Sequence, residues 1–213
     1  MRKLLFLAVM VVASASMAFA QGDDYNKVEV SGGFSHARVD TGVDDPDLDD
    51  DFADFLSDRR GFNGFDVSVA GNFTRYFGVK GNFSGHFKSD SFVDAGDIID
   101  TRERMWQAMG GVQVKDNSKE TRFKPYAHVL AGAARQTVEF SSPDFTDTFD
   151  VSDTNFAMKF GGGVDVRVHP RVDLRLVEFN YNPIFRGDIT LDDEVFQGRT
   201  QHNFTVGFGV AIH

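Results

Sequence analysis

The stretch Val79-Lys80-Gly81-Asn82-Phe83-Ser84-Gly85-His86-Phe87-Lys88 alternates strictly between apolar or small residues and polar ones. Side chains with a period of two point to opposite faces of a strand, so this run reads as a β-strand with one greasy and one wet face. Three other runs share the pattern. Phe65, Val67, Val69, Gly71 and Phe73 alternate with Asp66, Ser68, Ala70 and Asn72. Phe156, Met158, Phe160, Gly162, Val164, Val166 and Val168 alternate with Ala157, Lys159, Gly161, Gly163, Asp165 and Arg167. Phe204, Val206, Phe208, Val210 and Ile212 alternate with Asn203, Thr205, Gly207, Gly209 and Ala211. Each approaches the roughly nine to eleven residues with which a tilted strand crosses a bilayer. Weaker runs near 27–38, 103–115, 123–139 and 171–184 bring the total to eight strands. The last of these changes phase, with Val172, Leu174 and Leu176 on even positions and Val177, Phe179 and Tyr181 on odd ones. A bulge or an interface position accounts for such a slip.

The segments between the runs alternate in length. Those near 40–61, 89–102, 140–153 and 185–199 read as long polar loops, and those near 75–78, 116–122 and 169–171 as short turns. The four long segments carry 21 of the 32 acidic residues and only five bases, Arg59, Arg60, Arg102, Arg186 and Arg199. Residues 115–124 hold four bases and two acids. Long loops on one side and short turns on the other match a membrane barrel with both termini in the periplasm and an acidic outer rim.

The beginning of the chain fits export. Arg2 and Lys3 precede the apolar run Leu4 to Val12, and Ala18-Phe19-Ala20 fits a cleavage site. Residues 1–20 are therefore expected to be a cleaved signal peptide, and residues 21–213 a single barrel domain. No later segment approaches twenty apolar residues, so only strands closed into a barrel are available to span a membrane. Cysteine is absent, which removes disulfides and Cys-based zinc sites. The net charge of −10 argues against nucleic-acid phosphate as a partner.

Which face meets lipid follows from the polar positions. A soluble exterior carries many long charged side chains, whereas here the polar face is mostly Gly, Ala, Ser, Asn and Thr. Small residues suit the confined lumen of an eight-stranded barrel, leaving the Phe/Val face for lipid. Asp66, Lys80, His86, Lys159, Asp165, Arg167 and Glu178 are then candidates for a luminal polar network, in which opposite charges must meet because unpaired burial is costly. A turn centred near Tyr76 and Phe77 pairs Asn72 with Lys80 and puts Asp66 opposite His86, or opposite Lys88 after a two-residue shift.

Several short segments resemble the bacterial outer membrane protein β-barrel domain family, related in architecture to the outer membrane protein A barrel. They are Gly32-Gly33-Phe34-Ser35, Asn63-Gly64-Phe65, Gly71-Asn72-Phe73, Asn82-Phe83-Ser84-Gly85-His86, Pro125-Tyr126-Ala127-His128, Gly132-Ala133-Ala134-Arg135, Asp153-Thr154-Asn155-Phe156-Ala157 and Gly161-Gly162-Gly163-Val164-Asp165. The resemblance implies an all-β, eight-stranded antiparallel up-and-down barrel in the outer membrane, and it transfers no catalytic residue. It also implies a terminal aromatic residue read during assembly, which the outward series ending at Ile212 would place beyond His213. The expected surroundings are outer-membrane lipid and lipopolysaccharide, with an extracellular partner at the acidic loops, a monomeric state and no cofactor.

Chemistry-bearing patterns are few. Ser84 and His86 share a face and invite a hydrolase reading, but they share it with Lys80 and Asn82 away from lipid, and no third residue is evident to orient the imidazole. The run from Asp44 to Asp51 does not form an EF-hand, because the sixth and twelfth positions counted from Asp45 are Asp50 and Leu56. It reads as a solvated acidic loop or a diffuse divalent-cation binder. Leu48, Phe52, Phe55 and Leu56 have helical spacing within that loop. His36, His128, His169 and His202 show no metal-ligand spacing. Four functions compete: a non-enzymatic surface protein, a narrow channel, a lipid-modifying enzyme, and a lipocalin-like carrier. The last normally shows Gly-x-Trp near its first strand, and the sole tryptophan here is Trp106.

Overall fold

The computed structural model describes residues 24–40, 59–94, 97–141, 149–187, 189–191, 194–196 and 200–213. Its strands are β1 (Val28–Asp40), β2 (Arg59–Asn72), β3 (Phe77–Asp94), β4 (Asp97–Lys115), β5 (Phe123–Ser141), β6 (Phe149–His169), β7 (Val172–Phe185), β8 (Ile189–Leu191), β9 (Glu194–Phe196) and β10 (Thr200–Ile212). Eight of them close into an antiparallel barrel in the order β1-β10-β7-β6-β5-β4-β3-β2, while β8 and β9 pair separately. Closure is made by β1 against β10, from Val30 opposite Ile212 to Arg38 opposite Phe204. A closed sheet leaves no unpaired edge, which is what a bilayer demands of a spanning β-structure.

The faces fall as the alternation requires. Val69, Phe73, Val79, Phe83, Phe160, Phe204 and Phe208 are exposed on the outside, and Ser68, Asn82, Ser84, Lys159, Asn203 and Thr205 are buried inside. The phase change in β7 is a bulge. Pairing runs from Val164 opposite Val177 to Asp165 opposite Arg175, skipping Leu176, and the same slip occurs against Gly207 and Gly209. Leu176 therefore points outward, and Arg175 and Glu178 both turn into the lumen on either side of it.

Two expectations change. First, the segments 89–102 and 140–153, expected to be loops, contribute ladder at their described residues: β3 and β4 stay paired to Asp94 opposite Asp97, and β5 and β6 to Phe140 opposite Phe149. Backbone pairing continues past the apolar band, where both faces are wet and the alternation that marks a strand is lost. Second, the turn after β2 is tighter. Asn72 faces Gly78 instead of Lys80, so Asp66 lies opposite Ser84 and His86 opposite Gly64. The Thr74 hydroxyl accepts bonds from the backbone N–H groups of Tyr76 and Phe77, and the N–H of Phe73 reaches the carbonyl of Phe77. Glycine suits position 78, because a Cβ there would come within 2.9 Å of the Gly71 carbonyl oxygen. The slip is an even number of residues, so every side chain keeps its face. Residues 1–20 and the acidic run 44–51 with its apolar companions lie outside the described residues.

Candidate functional site: a filled lumen

Among the described residues, the lumen gathers the buried charge. Nearest the short-turn end, Lys124 donates to Asp173 at 2.7 Å, and His213 contacts the same carboxylate at 2.8 Å. Arg167, expected inside, sits at the rim with its Nε 4.0 Å from Asp173 and its guanidinium on the Ser118 carbonyl. One step further in, Lys115 bridges Glu29 at 2.5 Å and Asp165 at 2.6 Å. Arg175 forks onto both oxygens of Asp165 at 2.9 and 3.1 Å and donates to Glu178 at 2.8 Å. Tyr126 donates to Glu178 at 2.5 Å, and its ring carries Arg175 at 4.6 Å, Lys80 at 5.4 Å and Lys115 at 5.6 Å from its centroid. A ring among three cations offers them its negative face where carboxylates leave gaps.

The next layer uses amides. Lys159 reaches Asp66 at 3.0 Å and Asn82 at 2.7 Å, while Asn82 donates to Asp66 at 2.6 Å. His128 joins Asn180 at 2.9 Å and lies 3.4 Å from Lys80, and Asn180 donates to Glu178 at 3.0 Å. Lys80, Lys115, Lys124, Lys159 and Arg175 thus meet Glu29, Asp66, Asp165, Asp173 and Glu178, five cations against five carboxylates. Equal numbers are what burial selects, since a surplus charge in a narrow lumen would cost several kcal/mol. A void of about 20 Å³ beside Ser35, Asp66, Arg175 and Glu178 has room for a single water.

Further along the axis the filling becomes apolar. Ala37, Val39, Phe62, Met105, Met109, Leu130, Ala134, Ala157 and Ile184 form one buried cluster inside the barrel. Above it a cavity of about 450 Å³ is lined by Arg60, Glu103, Gln136, Arg186 and Gln201 among others.

Of the seven luminal candidates, Asp66, Lys80, Lys159, Asp165 and Glu178 enter this lattice, Arg167 stays at its rim, and His86 lies apart. His86 is bonded to Ser35 at 3.0 Å, and Ser84 donates to Gln107 at 3.3 Å. The expected Asp66 contact is replaced by Lys159, and the two residues of the hydrolase reading are not bonded to each other. Both are fully buried, and no hydrogen-bond partner among the described residues reaches His86 Nδ1. Sequence reasoning missed Glu29, Lys115, Lys124, Asp173, Arg175 and Tyr126. The signal was present: Asp173 and Arg175 alternate with Val172, Leu174 and Leu176, and Lys124, Tyr126 and His128 alternate with Pro125, Ala127 and Val129. Among the described residues no group of three or more His, Cys, Asp or Glu is arranged to hold a metal ion.

Comparison with known proteins agrees with this architecture. The model of the outer membrane protein beta-barrel domain matches residues 4–211. Ail, the attachment invasion locus protein of Yersinia pestis, solved with the heparin analogue sucrose octasulfate, superposes with a TM-score of 0.52 at 20% identity, covering 87% of this chain and 97% of that one. Neisserial surface protein A superposes with a TM-score of 0.55 at 13% identity, covering 89% of this chain and 99% of that one. No curated protein matches the chain at a significant level. The chain belongs to the outer membrane protein β-barrel domain family and resides in the bacterial outer membrane.

Proposed function

We propose that the protein is a closed, non-enzymatic barrel that presents acidic outer segments to an extracellular partner. The observation that carries this reading is the filled lumen: five cations and five carboxylates pair across the interior, and an apolar cluster lies beyond them. Ions crossing such a lumen would have to break several desolvated pairs at once, which disfavours steady conduction. The buried Ser35–His86 and Ser84–Gln107 bonds give neither hydroxyl access to a lipid substrate. In this reading residues 1–20 direct export, residues 21–213 form one monomeric barrel among outer-membrane lipid and lipopolysaccharide, and the outer segments do the recognising. Those segments hold 21 acids and five bases, so the partner is cationic at its contact surface. Ail, a similar barrel, was solved with a sulfated ligand. The charge of the outer segments here favours the opposite sign.

Planar-bilayer recording of the refolded full chain tests the closed state, with no current steps above the bare membrane expected. Reproducible unitary steps would replace this reading with a narrow channel. Lipid A extracted from cells producing the protein should keep its mass, and a shortened acyl pattern dependent on the protein would make it an enzyme.

A further inference from the structure

At the short-turn end, which the loop pattern turns toward the periplasm, the lipid face changes character around the barrel. Beside β2 to β5 the residues there are aromatic: Phe73, Tyr76, Phe77 and Phe123 are all exposed. Such rings form the girdle at which a membrane barrel meets the headgroup layer. Around β6, β10 and β1 the corresponding positions are aliphatic: Val168, Ile212, Val30 and Val28. Here the rim opens into a cleft of about 1100 Å³, bounded by the start of β1 on one side and the β6–β7 turn on the other. The four aliphatic residues supply its apolar wall, and Lys27, Lys119, Arg167 and Arg171 its polar mouth. Arg171 is exposed on a braced turn: its N–H donates to His169 Nδ1 at 3.4 Å, and its carbonyl accepts from the N–H of His213 at 3.1 Å.

The mouth is positive. Against its four cations stand two exposed carboxylates, Glu120 and Asp24, the latter accepting the Lys119 N–H at 3.0 Å through its backbone carbonyl. Asp116 belongs to Arg75, which donates to it at 2.9 Å. Glu29 and Asp173 lie buried beneath, where Lys115 reaches the one at 2.5 Å, and Lys124 and His213 reach the other at 2.7 and 2.8 Å. Arg167 stands 4.0 Å from the same Asp173. Arg122, exposed on the neighbouring turn with its carbonyl bound by the Arg167 N–H at 2.8 Å, adds a further cation. An apolar wall at the level of the lipid, joined to a cationic mouth, asks for an amphipathic anion. A soluble acidic peptide would leave the valines and Ile212 unused, and a two-fold contact with a second copy would set these cations against their own kind.

We propose that the cleft seats an anionic phospholipid of the periplasmic leaflet, with its phosphate at Lys27, Arg167 and Arg171 and one acyl chain along Val30, Val168 and Ile212. Guanidinium groups match phosphate oxygens by forked donation, and Lys27 adds a point charge. The rings of Phe73, Tyr76, Phe77 and Phe123 anchor one side of the barrel to the headgroups, and the bound lipid anchors the other. The site lies at the opposite end from the acidic outer segments and stands whether or not the lumen conducts.

The full chain is refolded into phosphatidylcholine nanodiscs carrying a rising fraction of phosphatidylglycerol, and its backbone amide NMR signals are followed. Those of Lys27, Val168 and Arg171 should shift saturably, while those of Phe204 and Val206 near the other end stay in place. Lys27→Gln with Arg171→Gln should raise the half-saturating fraction about tenfold, the worth of one charge-assisted bond. Val168→Trp, which keeps the charge and fills the wall, should raise it as well, with retained heat-modifiable migration showing that each variant is folded. Glycerol phosphate or polyglutamate added to pure phosphatidylcholine discs should move none of these signals. Equal shifts at Phe204 and Val206, a shift with either soluble anion alone, or an unchanged titration in the charge variant would overturn the proposal.

Discussion

The periplasmic and outer halves of the lumen are closed by different physics. Toward the periplasm, Glu29, Lys115, Asp165, Arg175 and Glu178 form a lattice in which each charge depends on named partners. Toward the outside, Phe62, Met105, Leu130 and Ile184 fill space without direction. A lattice of buried charges is intolerant of losing one member, because what remains is an uncompensated charge, whereas an apolar cluster loses only contact area and volume. The difference also sets what each half specifies. Paired charges fix strand register, since a two-residue slip would separate Lys115 from Asp165 while leaving every face intact. The apolar half is indifferent to which neighbour it meets.

The sharpest way to break this contrast is to remove one lattice carboxylate. Asp165→Leu leaves Lys115 with Glu29 alone and deprives Arg175 of its forked contact. A loss of about 3–5 kcal/mol is expected, read as a lower urea midpoint for unfolding in detergent. Trimming the apolar half is milder: Ile184→Val should cost about 0.5–1.5 kcal/mol in the same assay. Equal costs would erase the distinction between the halves.

A smaller effect belongs to the periplasmic turns, outside the bilayer. Arg75 donates to both oxygens of Asp116 at 2.9 and 3.1 Å, and this bond holds the Asp116 carboxyl at about 2, below its usual 3.8. A depressed carboxyl adds stability that is fully present above its unfolded pKa and is lost as pH falls, here between 3.8 and about 2. Because Arg75 is exposed, the pair is worth at most about 1 kcal/mol. Wild type should therefore lose a small increment of melting temperature over that interval relative to Asp116→Asn, and parallel curves would assign the pair no stabilising role.

Much of this architecture was legible as alternation. Val79 to Lys88 and Phe204 to Ile212 declare their lipid and luminal faces, because hydrocarbon outside and a confined interior leave no other arrangement. The outer ends of β3 to β6 were not legible, since the described residues 89–94, 97–102, 140–141 and 149–153 lie beyond the apolar band, where pairing leaves no hydropathic trace. The partner of Asp66 was missed for a different reason. Lys159 is 93 residues away and reaches it across the barrel, a contact that depends on closure and register together. Local alternation names the face of a charge but not its partner. Arg175 and Glu178 both face the lumen although one position is odd and the other even, because the bulge at Leu176 breaks the period between them.

That lattice charges act as pairs across the closed barrel is the central claim, and a double-mutant cycle on Lys159 and Asp66 tests it most directly. Either single change, Lys159→Met or Asp66→Asn, leaves one member of a 3.0 Å contact without its counterpart. The cycle should return a coupling of about 1–3 kcal/mol, with the double variant more stable than the sum of the singles implies. Additivity within about 0.5 kcal/mol would show that the two residues do not share a contact, contradicting the account of the filled lumen.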